Sequence, residues 1–238
     1  MKKMMMMCFA IILAFTGGCS MSDSQKNGNQ EEAVNPKDMD PKDLPQVPAF
    51  QDEKTREYMA STKEMEPGYY LLESKLKGFT MLFPEDGEYL SDYSTTDGEN
   101  SESIGFQSYN KKTNILLDGQ VSYYRETTFI DDPDTMLDQV SKENGYKGNY
   151  SLKKENEKDV YSAFKKNEFK KNDRKYNSSF MYFGFIKSKK MSNLGIVYSF
   201  IISCKIDDQA CSLDEKKAGA LAEKMIDSIT FLTDKKEK

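Results

Sequence analysis

SSFMYFGFI, residues 178–186, and LGIVYSFII, residues 194–202, are two runs without a charged side chain, joined by the short basic segment KSKKMSN, residues 187–193. Runs of this length, rich in aromatic and β-branched residues, read as strands, and unbroken apolar character means that both faces are covered. So short a connection makes them antiparallel neighbours, because a parallel pair needs a crossover of a dozen or more residues. The centre of the sheet must then carry a layer on each side. That predicts an α+β fold, a largely antiparallel β-sheet flanked by helices in an α/β/α arrangement, rather than a sandwich of two sheets.

Outward from this hairpin the pattern continues. GYYLLES (68–74), KGFTMLFPEDG (77–87), ESIGFQSY (102–109) and DVYSAFKKNEF (159–169) read as strands. In ILLDGQVSYY (115–124), Ile115, Leu117, Val121 and Tyr123 alternate with Asp118, Gln120 and Ser122, the period of a half-buried strand. DDPDTMLDQVSKENG (131–145) is a helix capped by Asp132, with Pro133 at its first position, a stripe of Met136, Leu137 and Val140, and Gly145 as its stop. Asp131, Asp132 and Asp134 are helix-capping acids; they lack the glycine and terminal glutamate of an EF-hand calcium loop. In CSLDEKKAGALAEKMIDSITF (211–231), Ser212 and Glu215 form a capping box, and Ala218, Leu221, Ala222, Met225, Ile226 and Ile229 fall at helical spacing. This closing helix docks on the sheet.

The other end of the chain carries an address. Met1, Lys2 and Lys3 precede a mostly apolar stretch from Met4 to Phe15, and no acid occurs before Cys19. This is a secretory signal layout, too short for a membrane-spanning helix. Thr16, Gly17 and Gly18 lead into Cys19, which resembles the lipobox of bacterial lipoproteins. The resemblance implies cleavage after residue 18 and a diacylglyceryl group on the Cys19 thiol, with palmitate-type acyl chains as the anchor. Two acyl chains clear the threshold for stable attachment. The expected location is the extracytoplasmic face of the cell membrane.

Residues 19–50 contain Pro36, Pro41, Pro45 and Pro48 and few large apolar side chains. They read as a disordered tether. Residues 51–67 read as a marginal helical lead-in, 68–233 as one globular domain, and 234–238 as a charged tail.

Composition narrows the function. The chain has 238 residues, 34 Lys and Arg against 39 Asp and Glu, and no histidine. Removal of Lys2 and Lys3 with the signal leaves 32 bases against 39 acids, a mature charge of −7. No basic footprint for nucleic acid is present. The absence of histidine removes the Ser-His-Asp and Cys-His machines and the usual zinc sites. No catalytic residue, metal ligand or cofactor-binding residue stands out, and the expectation is a protein that is not an enzyme and binds no cofactor.

A GF-x-M-x-FP strand at the domain start, antiparallel strands with one inserted helix, a final aromatic hairpin and a closing helix ending MIDSITF resemble the PsbP-like fold. The resemblance covers about residues 68–232. It implies a compact α/β/α module of a kind that works by binding proteins rather than by catalysis, and it carries no functional residue across.

Cys8 leaves with the signal. With Cys19 lipidated, Cys204 and Cys211 are the remaining thiols, in a compartment where disulfides persist. A bond between them closes a loop of eight residues and staples the end of a strand to the start of the closing helix; two free thiols, or metal or redox chemistry, are the alternatives.

The reading is a lipid-anchored, non-catalytic binding or adaptor module. Its partner is an envelope protein or polymer, and surface or community (biofilm) behaviour is the process it would influence. A small-ligand receptor with a pocket between sheet and helix is the alternative, and an enzyme using paired carboxylates on wall glycan ranks third.

Overall fold

The computed structural model describes residues 35–168, 178–205 and 211–232. Ala33–Lys238 form one compact unit and Met1–Glu32 another. In chain order the elements of Ala33–Lys238 are helices α1 (Pro48–Gln51) and α2 (Glu53–Arg56) and strands β1 (Tyr69–Glu73), β2 (Phe79–Pro84), β3 (Gly87–Tyr89), β4 (Thr95–Asp97), β5 (Ser101–Asn110) and β6 (Ile115–Arg125). Then come helix α3 (Pro133–Asn144), strands β7 (Ser151–Lys154), β8 (Lys158–Glu168), β9 (Ser178–Ser188) and β10 (Leu194–Cys204), helix α4 (Glu215–Ser228) and strand β11 (Thr230–Phe231).

The large sheet is antiparallel throughout, in the order β3-β5-β6-β10-β9-β8-β7, with β4 also on β5. Its centre is the hairpin of the two apolar runs, paired from Gly195 with Lys187 to Ser203 with Ser179. One face holds the main core. Leu194, Ile196, Tyr198, Phe200 and Ile202 of β10 meet Ala218, Ala222 and Met225 of α4 there. On the other face, Phe183 and Phe185 of β9 lie under α3, against Val140 and Met136. Strand β9 is thus covered on both sides, as its apolar run requires. Gly184 sits where a Cβ would come within 1.9 Å of the Tyr161 carbonyl, so only glycine admits the close approach of β8.

A second sheet shares the α4 face: three strands in the order β1-β2-β11. Phe79 and Phe83 of β2 pack against Tyr123 of β6 and Phe106 of β5. The helix layer expected on that face is therefore partly strand, because the apolar β2 is long enough to cover β5 and β6 where α4 does not reach. Its pairing with β11 brings Phe79 opposite Phe231.

Helix α3 forms as its sequence requires. The Asp132 carboxylate accepts from the Asp134 N–H, and Gly145 ends the helix in the left-handed region at φ 56°. Helix α4 is capped differently from expectation. Asp214, not Ser212, is its N-cap and accepts from the Lys217 N–H at 2.8 Å. Ser212 instead receives a bond from the Lys217 ammonium. Both residue types cap well, and the one whose backbone is extended at the helix start takes the role.

The tether boundary also moves. Residues 35–50 were expected to be disordered, yet NPKD and DPKD each form a 3-10 turn in which the Asn35 or Asp40 side chain accepts from the N–H two residues on. Leu44, Ala49 and Phe50 are then buried in the main core. Three anchors in a proline-rich segment suffice, because the prolines have already reduced the entropy lost on ordering. The lead-in is equally reassigned. Only α1 and α2 are helical, and Met59 and Glu66 form bridges with Leu72 and Tyr69.

Candidate functional site

Cys19 lies outside the described residues. Cys204 and Cys211 are joined, with their α-carbons 6.0 Å apart, within the range a disulfide accommodates. Cys204 ends β10 opposite Ile115 of β6, and Cys211 lies three residues before the α4 cap, so the bond ties sheet to helix. Among the described residues no group of three or more Asp, Glu, Cys or His side chains is placed to hold a metal.

The deeply buried charges are occupied by the backbone. The Glu102 carboxylate, on a residue 1% exposed, accepts from the Lys75 and Leu76 N–H groups and fixes the β1–β2 turn. The Lys158 ammonium, with its side chain 7% exposed, donates to the carbonyls of Asp227 and Ile229 at the end of α4. Burial pulls its pKa below the ordinary lysine value. A cation at a helix C-terminus is favourable, and here it docks α4 on β8.

What remains open is the outer face of the large sheet. Helix α3 covers β9 and part of β8, and on β10 it reaches Val197. Beyond that, the register across β5, β6 and β10 lines up Gln107, Asp118 and Ile201 in one row and Gly105, Gln120 and Ser199 in the next. The β5 side is walled by the segment Leu90–Ser94, which lies on the sheet because residue 105 is glycine: a Cβ there would come within 2.6 Å of the Tyr93 Cβ. The Leu90 N–H donates to the Gly105 carbonyl, and the Gly105 N–H to the Ser94 hydroxyl, both at 2.8 Å. The result is a trough of about 390 Å³, open to solvent, with Tyr93 at its rim 67% exposed.

Its lining is almost uncharged and sets four polar side chains, Gln107, Asp118, Gln120 and Ser199, among the apolar Leu90, Tyr93, Phe106 and Ile201. Gln107 Nε2 donates to Asp118 Oδ1 at 2.6 Å, Gln120 Nε2 to Ser103 Oγ at 3.2 Å, and Ser103 and Ser122 share a bond at 2.8 Å. Burial raises the Asp118 carboxyl above its usual range, partly offset by the bond from Gln107. The amide oxygens of Gln107 and Gln120, the second oxygen of Asp118 and the Ser199 hydroxyl have no protein partner among the described residues. A further hollow of about 640 Å³ lies between the β8 region and α4, bordered by Phe164, Tyr182, Glu223 and Ile226.

Nothing in the linear sequence marks the trough, although the alternation of Asp118, Gln120 and Ser122 against the core residues of β6 is its one visible trace. Sequence reasoning named Asp118 and Gln120 only as the polar side of a strand and gave no trough residue a functional role.

A protein-family model, YvcA_Mog1p, described as "Putative lipoprotein YvcA", matches residues 45–230. The chain belongs to this family. The match begins at Pro45, inside the segment that the structure adds to the domain, and runs to β11. Over its full length the chain is 62% identical to a protein of Bacillus subtilis (strain 168) named "Putative lipoprotein YvcA", with all of both chains covered. This agrees with reading the chain as a bacterial lipoprotein. Among solved structures it is similar to the Ran-binding protein Mog1p of Saccharomyces cerevisiae, at 10% identity and a TM-score of 0.35, over 66% of this chain and 84% of that one. Among the described residues no helix is long and apolar enough to cross a membrane.

Proposed function

We propose that this family member is a lipid-anchored module on the extracytoplasmic face of the cell membrane that binds an envelope component without chemistry, on the open face of its large sheet. The observation that carries this reading is the trough itself: a sheet surface left uncovered between α3 and Tyr93, with hydrogen-bonding groups that no protein atom among the described residues uses. Surface polar groups on a rigid scaffold are what a binding face needs. The hydrophobic clusters beneath it are closed, and the hollows open outward. Fifteen residues separate Cys19 from Asn35. Covalent geometry then keeps Asn35 within about 55 Å of the lipid, so the component bound lies near the membrane.

The test places a photo-crosslinking amino acid at position 120 in the full-length protein in cells. A covalent adduct is expected at 120 and not at Lys154, on the far edge of the sheet. Equal or absent adducts at both positions would defeat the reading. The anchor is tested beside it: Cys19→Ala should move the protein from the membrane to the soluble fraction, and retention would show that the thiol is not the attachment point.

A second reading, a small-ligand receptor, is favoured by the hollow between β8 and α4. It predicts that Tyr182→Ala, rather than a trough variant, abolishes ligand-induced stabilisation.

A further inference from the structure

The trough has a chemistry that selects among envelope components. Among the described residues its lining includes no lysine and no arginine, and one carboxylate, Asp118. A polymer of phosphate groups would find no cation there, and the surrounding chain is acidic. An extended peptide that adds as a strand needs free backbone N–H and C=O groups. Here the backbone of β6 is consumed on both sides, by β5 and by β10, and β5 is paired again by β3 and β4. Recognition is left to side chains: two primary amides, one carboxylate oxygen, a serine hydroxyl and an exposed tyrosine ring, set beside the apolar Leu90, Phe106 and Ile201.

That set matches an uncharged polyhydroxyl ligand. Amide and carboxylate oxygens accept from sugar hydroxyls, amide N–H groups donate to them, and a tyrosine ring offers a flat apolar face to the C–H side of a pyranose. The donors and acceptors are held in place before binding. Cross-strand neighbours stand about 5 Å apart, so Gln107 and Asp118 in one row and Gln120 and Ser199 in the next present a fixed grid that can meet successive hydroxyls. The Gln107–Asp118 bond locks two of these side chains against each other, which lowers the entropy lost when a ligand binds. The volume, about 390 Å³, lies in the roughly 300–1,000 Å³ range of small-molecule sites and accommodates a short segment of a longer chain passing through an open trough.

Resting on the binding reading above, we infer that the outer-face trough, with Tyr93 at its rim and Asp118, Gln107, Gln120 and Ser199 on its floor, is a binding site for an uncharged glycan.

The full mature lipoprotein in detergent micelles is passed over immobilised uncharged oligosaccharides, namely hexamers of N-acetylglucosamine, β-1,4-glucose, α-1,4-glucose and β-1,3-glucose. Polyglycerol phosphate and an unrelated peptide array run beside them. Retention on at least one uncharged glycan is expected, weakened at least tenfold by Tyr93→Ala and by Ser199→Leu, which fills the floor. Tyr93 is two-thirds exposed, so its variant keeps the fold, and an unchanged unfolding midpoint verifies this. Retention of no uncharged glycan, or equal retention of the variants, overturns the inference. Capture of polyglycerol phosphate or a peptide, lost in Tyr93→Ala, would overturn the ligand class while leaving the binding face intact. Absence of any adduct at position 120 in cells would instead remove the binding face itself.

Discussion

Phe50→Ala separates the structure from the plain reading of the sequence. A side chain in a disordered tether could be removed at no cost, whereas Phe50 is 0% exposed and its ring meets that of Tyr70 edge to face at 4.8 Å. The backbone around it is engaged as well: the Ala49 N–H donates to the Glu85 carbonyl at 3.0 Å, and Arg56 donates to the Phe50 carbonyl at 3.4 Å. Truncating a buried phenylalanine costs about 3–5 kcal/mol, of which the aromatic pair carries about 0.5–1.5. For a domain of this size each kcal/mol moves the midpoint by about 2–4 °C, so a loss of about 4 kcal/mol lowers it by about 8–16 °C. Thermal unfolding followed by circular dichroism reads this directly, with limited proteolysis alongside. A midpoint within about 1 °C of wild type refutes the reasoning. An unchanged midpoint with faster cleavage before residue 60 would show that the segment undocks alone and is not part of the cooperative core.

The disulfide closes an eight-residue loop, for which loop-closure entropy gives about 2.5 kcal/mol, so the double variant Cys204→Ser, Cys211→Ser should melt about 5–10 °C lower. The unreduced mature wild-type chain should be lighter by a pair of hydrogens, and full thiol titration without reductant would contradict the bond. Lys158→Met leaves the Asp227 and Ile229 carbonyls without their donor and should cost about 1–3 kcal/mol in urea unfolding; a variant as stable as wild type would show that the ammonium's desolvation cancels its bonds. Alkaline pH should destabilise the fold through its buried tyrosines. Desolvation pushes Tyr182 up to about 12 and raises Tyr58 and Tyr198 above their ordinary value. The unfolded chain releases these protons first, so stability is intact below pH 10 and falls as pH rises toward 12. Lys158, with its pKa lowered, acts in the opposite sense just below pH 10.5. Tyr198→Phe should flatten the fall, and an unchanged slope would assign it elsewhere.

Local chemistry made part of this protein legible from its residues alone. Period-two alternation marked β6, unbroken apolar runs marked the β9–β10 hairpin, and Asp132, Pro133 and Gly145 bounded α3, because each signal is complete within a dozen residues. The Cys19 signal and the proximity of Cys204 to Cys211 are local in the same way. Long-range pairing decided the rest. Strand β11 has only two residues and exists because Thr230 and Phe231 meet Thr80 and Phe79 far earlier in the chain. Leu44 and Phe50 look like stray apolar residues until the core they fill is assembled. The trough is the strongest case: Gln107, Asp118, Gln120 and Ser199 come from three strands and face the same way only because the β5–β6 and β6–β10 registers set them side by side. A slip of one residue would turn each strand's set to the opposite face. Sequence period states which residues of a strand share a side; only the tertiary register states what they stand beside.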